Sequence, residues 1–131
     1  MIDLATFKWL AAERVWMRQC SGPQLEIVIG GNEQAPDPGR VAVADEVLHQ
    51  IEQVERVAKA YLDAFVDRPK FAPNSDWFLD SVEFGPRGDE PLDEFVAYFS
   101  LEDDDYGLWS VVLCRTSLAG INPVEIARRQ P

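Results

Sequence analysis

Apolar residues recur at three- and four-residue steps over Val47, Ile51, Val54, Ala58, Tyr61, Leu62 and Phe65, while Glu46, His49, Glu52, Glu55, Arg56, Lys59 and Asp63 take the remaining positions. That spacing predicts one amphipathic helix of about six turns, N-capped by Asp45 and running to about Val66. Asp67–Ser75, with Pro69 and Pro73, cannot continue it and reads as a loop. The pattern then switches to alternation. Over Asp76–Phe84 it predicts a strand with Phe78, Val82 and Phe84 on one side and Trp77, Leu79, Ser81 and Glu83 on the other. Gly85–Pro91 is a second loop. Two β-rich runs, Phe95–Leu101 and Tyr106–Leu113, flank the polar tip Glu102-Asp103-Asp104-Asp105 and predict an antiparallel hairpin. Val124–Arg128 follows the Asn122-Pro123 turn signal as an edge strand.

The N-terminal part is less periodic. Leu25–Ile29 alternates as a strand, and Arg14–Cys20 is expected to be its hairpin partner across the Ser21-Gly22-Pro23 turn. A helix over Asp3–Arg18 is the competing reading. Gly31–Gly39 reads as a loop and Arg40–Val43 as a short strand or helix lead-in. Together these elements predict a single α+β domain spanning residues 1–131, an antiparallel sheet of about five or six strands packed on one long helix. Only one sheet face would then be covered.

Length and composition agree with this picture, since 131 residues at 47% hydrophobic content suit one domain with one core. No run approaches the ~20 apolar residues of a membrane span, and Met1-Ile2-Asp3-Leu4 opens no signal-peptide core, so a cytoplasmic protein is expected. Charge narrows the partners. A net charge of −11 repels phosphate backbones and anionic lipid, which disfavours nucleic acid and membrane surfaces. The same field accelerates encounter with a basic protein.

Motifs for chemistry are sparse. Cys20 and Cys114 are expected to be free thiols, and with His49 as the sole histidine no zinc spacing exists. The Glu102–Gly107 run fails the calcium-loop pattern, because Tyr106 and Leu113 stand where ligands belong. Cys114 with His49 would be the only thiol–imidazole pair, one on a strand and the other on the solvent side of a helix. Glu83 with Glu94 could form a carboxylate pair, for which chance is the expected explanation among so many acids. Gly30-Gly31-Asn32 lacks the lysine of a phosphate loop, and Arg87-Gly88-Asp89 is a chance match to an adhesion tripeptide. Neither a metal nor a cofactor is therefore expected. Trp77, Trp109, Tyr98 and Tyr106 are core residues by default, and become interface anchors if two or more share the uncovered face. The expected partner-binding set is Glu102, Asp103, Asp104, Asp105, Tyr106, Trp109 and Trp77.

The hairpin from Tyr98 to Val111, followed by Pro123 and by Ile126-Ala127-Arg128-Arg129-Gln130, resembles small acidic bacterial α+β domains of uncharacterised families, some of them similar to immunity proteins of toxin systems. The resemblance covers the C-terminal half and implies a non-enzymatic inhibitor that occludes a basic toxin; it transfers no functional residue. Two alternatives stand beside it. One is a small-ligand or enzymatic domain with a pocket between helix and sheet; the other is a homodimer that buries its free face against itself.

Overall fold

A computed structural model of the chain describes residues 2–18, 25–66, 76–101, 108–116 and 120–129, with the backbone alone for 116, 120–122 and 124–129. The elements run in the order β1 (Lys8–Leu10), β2 (Val15–Arg18), β3 (Glu26–Gly30), α1 (Pro38–His49), α2 (Ile51–Phe65), β4 (Trp77–Phe84), β5 (Glu94–Leu101), β6 (Leu108–Thr116) and β7 (Gly120–Arg129). The seven strands form one sheet in chain order. All neighbours are antiparallel except β3 and β4, which pair in parallel with Ile27 opposite Val82 and Ile29 opposite Phe84. The α+β class holds, but the sheet is mixed and has more strands than expected. A parallel pair requires a long crossover, and the two helices between β3 and β4 supply it.

The single helix is corrected to two. The first begins at Pro38, because Asp37 caps it through Oδ1 to the Gly39 N–H at 3.0 Å and proline is tolerated in the first turn. Gln50, at φ −117° and ψ 26°, separates the pair. One unbroken rod from Pro38 to Phe65 would run about 42 Å at 1.5 Å per residue, against about 27 Å for the eight-residue strand β4. The break lets α1 sit on β3 and β4 while α2 packs on β6 and β7.

Both helices cover the same face. Val43, Ala44 and Val47 of α1 and Val54, Ala58 and Leu62 of α2 are buried against Ile27, Ile29, Val82, Phe84, Phe95, Ala97, Phe99, Val111 and Leu113. Phe84 and Phe95 stack at 5.5 Å, and Trp77 meets Trp109 edge-on at 5.8 Å. Phe65, which continues the helical stripe by spacing, is 70% exposed.

Strand β4 departs from the simple alternation. Its register to β5 shifts between Leu79 and Ser81, a bulge that reverses the parity of everything before it. Trp77, expected opposite Val82 and Phe84, therefore shares their face and is 1% exposed, whereas Phe78 turns outward at 49%. The hairpin readings hold: β2 pairs antiparallel with β3, β5 with β6, and β7 closes one edge. Strand β1 was not anticipated.

Candidate functional site

The face away from the helices is traced by one row of paired residues crossing the whole sheet: Lys8, Met17, Val28, Glu83, Val96, Val112 and Glu125. A second row places Glu26, Ser81, Tyr98 and Ser110 side by side. Strand alternation puts these residues there, because their neighbours Ile27, Val82, Ala97 and Val111 are needed by the core.

At one end of this face the β4–β5 loop rises beside the sheet and encloses a groove of about 440 Å³. Val96, Val112 and Tyr98 line it together with the carboxylates Glu83, Glu90 and Glu94 and the guanidinium of Arg87. The buried Tyr98 hydroxyl donates to Glu83 Oε2 at 3.0 Å. Glu94 stands opposite Cys114 at the start of β5.

The loop is held from both sides. Gly85 adopts φ +56°, and a Cβ there would lie 2.0 Å from Arg40 Nε, so Arg40 of α1 lies flat against bare backbone. Arg40 is only 5% exposed. Its Nη2 donates to the Glu90 carbonyl at 2.6 Å and Nη1 to the Pro91 carbonyl at 3.5 Å. Further along, Arg115 donates to Asp93 and to Glu46, tying β6 to the loop and to α1.

Within the loop, Glu90 accepts from the Arg87 N–H and Nε and from the Gly88 N–H. Burial by itself would raise the Glu90 carboxyl. The N–H donors of Arg87, Glu90 and Gly88 and the Arg87 side chain outweigh it and hold the group below the ordinary carboxylate range. Arg87 is raised in turn, first by its hydrogen bond to Glu90 and then by the charges of Asp89 and Glu90. Of the three groove carboxylates, Glu90 is thus committed to the loop, and Glu83 receives the tyrosine hydroxyl. The Glu94 carboxylate has no hydrogen-bond or ion-pair partner among the described residues.

The expected partner-binding residues fall elsewhere. Trp77 and Trp109 lie on the helix-covered face, at 1% and 6% exposure, and Trp77 Nε1 donates to Asp63 Oδ1 at 2.9 Å. Both indoles are corrected to core residues: the β4 bulge carries Trp77 inward, and pairing with Phe99 carries Trp109 with it. Glu102, Asp103, Asp104, Asp105 and Tyr106 lie outside the described residues. The hairpin ends nearest that tip, Leu101 and Leu108, are at the far end of β5 from Glu94. The groove therefore gathers a different set. Glu83, Glu94 and Tyr98 were visible in the sequence as a carboxylate pair and a strand aromatic, but only the loop brings them together with Glu90.

Among the described residues Cys114 and His49 do not form a thiol–imidazole pair. His49 is exposed on α1 with Nδ1 2.8 Å from the Asp45 carbonyl oxygen, while Cys114 sits on the opposite side of the sheet. Among the described residues no three His, Cys, Asp or Glu side chains cluster as metal ligands, and no helix is long and apolar enough to cross a membrane. What the groove can do chemically is receive a cation: apolar side chains for an aliphatic stem and carboxylates for a charged head. No protein-family model, curated protein or solved structure matches the chain.

Proposed function

We propose that this protein is a non-enzymatic, cytoplasmic binding module, an immunity- or inhibitor-type protein that occludes a basic protein partner such as a toxin. One observation carries the reading: Glu83 and Glu94 share a groove with Val96, Val112 and Tyr98 on the sheet face that neither helix covers. A lysine or arginine from the partner would lay its stem along the valines and its charge between the carboxylates. The surrounding field of a −11 chain would speed the encounter. Occlusion needs no cofactor, only a rigid floor, and the Arg40 latch is suited to keep the groove wall in place. Glu102, Asp103, Asp104 and Asp105 enter as steering charges on the strength of their sequence alone.

The test is a titration of the isotope-labelled protein with a short lysine- and arginine-rich peptide, followed by amide resonances. Perturbations are expected to centre on Val96 and Val112, to shrink as salt is raised, and to fall about tenfold in affinity in the Glu83→Gln/Glu94→Gln double variant. Shifts spread evenly over the molecule, or binding unchanged in that variant, would overturn the reading.

A further inference from the structure

A second concavity, about 430 Å³, lies between the β1–β2 turn and the segment after β3, and is lined by Trp9, Ala11, Arg14, Asn32, Glu33 and Gln34. The turn over residues 11–14 closes through the Arg14 N–H to the Leu10 carbonyl at 2.7 Å. Arg14 has φ +57°, the only positive value at a non-glycine position among the described residues. Glycine or asparagine takes that conformation at less cost than a branched-off long side chain does. The backbone of the turn thus gains nothing from arginine. Nor does the guanidinium hold anything in place, since no hydrogen bond or ion pair engages it among the described residues. Its side chain instead lines the concavity beside Trp9.

The rest of the lining is set by the protein's own bonds. Trp9 is half-buried and leans on Trp16 at 5.7 Å with the rings tilted by 49°. Trp16 Nε1 donates to the Asn32 carbonyl at 2.8 Å, which pins the segment to β2. Asn32 Oδ1 accepts the N–H groups of Gln34 and Ala35, so the asparagine amide keeps its Nδ2 hydrogens as donors. Arg14 adds further donors, while Glu33 and Gln34 supply acceptors. Their formal charges cancel, Arg14 against Glu33, inside a chain that carries −11 overall.

That balance selects a ligand class. An anion would meet Glu33 and the protein's negative field; a cation would meet Arg14. A neutral polyol meets both as hydrogen-bonding groups, because each hydroxyl donates and accepts. Its C–H face also suits an indole plate. We infer that this groove binds a neutral saccharide, with Trp9 as the stacking surface and Arg14, Asn32, Glu33 and Gln34 as hydroxyl partners. The site is separate from the carboxylate groove and does not depend on the function proposed for it.

Titration with cellotetraose, maltotetraose and chitotetraose, read by tryptophan fluorescence and amide resonances, tests the assignment. At least one sugar at millimolar concentration is expected to shift the signals of Trp9, Arg14 and Asn32 to Gln34 while leaving Val96 and Val112 in place. Arg14→Gly relieves the strained turn and should fold at least as well as the parent, yet it should weaken binding about tenfold, as should Trp9→Ala. If none of the three sugars moves these resonances, or if both variants bind as the parent does, the assignment is overturned.

Discussion

The two faces of the sheet are built from the same strands but held by different physics. On the helix side, residues from four strands, β3 to β6, and both helices exclude water from Ile27, Phe84, Phe99 and Leu62. On the other side, Glu26, Glu83 and Glu94 share a face with Val28, Val96 and Tyr98, and a loop clamped by arginines supplies relief above the sheet. Shape on the first face follows from packing. On the second it follows from hydrogen bonds that reach from the β4–β5 loop, at the end of the central strands, to α1.

Substitutions should separate the two faces. Phe84→Ala removes a fully buried ring stacked on Phe95 and is expected to cost about 4 kcal/mol in chemical denaturation, with loss of the whole cooperative fold rather than of one face. Gly85→Ala sits one residue later and tests the clamp. The left-handed φ and the displaced Arg40 guanidinium together should cost about 3 kcal/mol, and amide exchange in the β4–β5 loop should rise more than in β5. An Arg40→Met variant with unchanged loop exchange would mean that the clamp is dispensable.

Smaller effects belong to the open face itself. Because the folded Glu90 carboxyl is held below its ordinary value of 4.5, its contribution is fully present above that pH and is lost as pH falls through the folded value. Glu90→Gln should therefore cost about 1 kcal/mol near neutrality, and the gap to the parent should close in acid when unfolding is followed against pH. Glu94→Gln is the smallest: stability should stay within about 0.5 kcal/mol, since the carboxylate has no partner to lose among the described residues. A large change there would show that Glu94 belongs to the structural ledger of the core after all.

Much of the helix side was legible from periodicity. Val47, Val54, Ala58 and Leu62 recur at helical steps and all are buried, and both flanks of the β5–β6 hairpin alternate as strands do. The start of α1 was hidden because Pro38 and Gly39 read as breakers, although Asp37 before them is a cap and the first turn accepts proline. The bulge in β4 was hidden for another reason. Alternation assumes constant parity, and one extra residue between Leu79 and Ser81 sends Trp77 inward against that rule. The groove was least visible of all. Glu83 and Glu94 can be set on one face by counting, but Glu90 joins them only because Arg40, on a distant helix, fixes the loop's carbonyls.

The parallel seam between β3 and β4 divides the sheet into an N-terminal antiparallel meander, β1 to β3, and a C-terminal one, β4 to β7. Each meander pairs strands that follow one another in the chain, whereas the seam joins segments that the entire helical crossover keeps apart. Closing that ring carries the largest entropic cost of any strand pairing in the molecule, although such costs grow by only about 0.6 kcal/mol for each doubling of length. Two things consequently bridge the halves: the ladder itself, with Ile27 opposite Val82 and Ile29 opposite Phe84, and α1, which packs on both β3 and β4 and so straddles the join from one side.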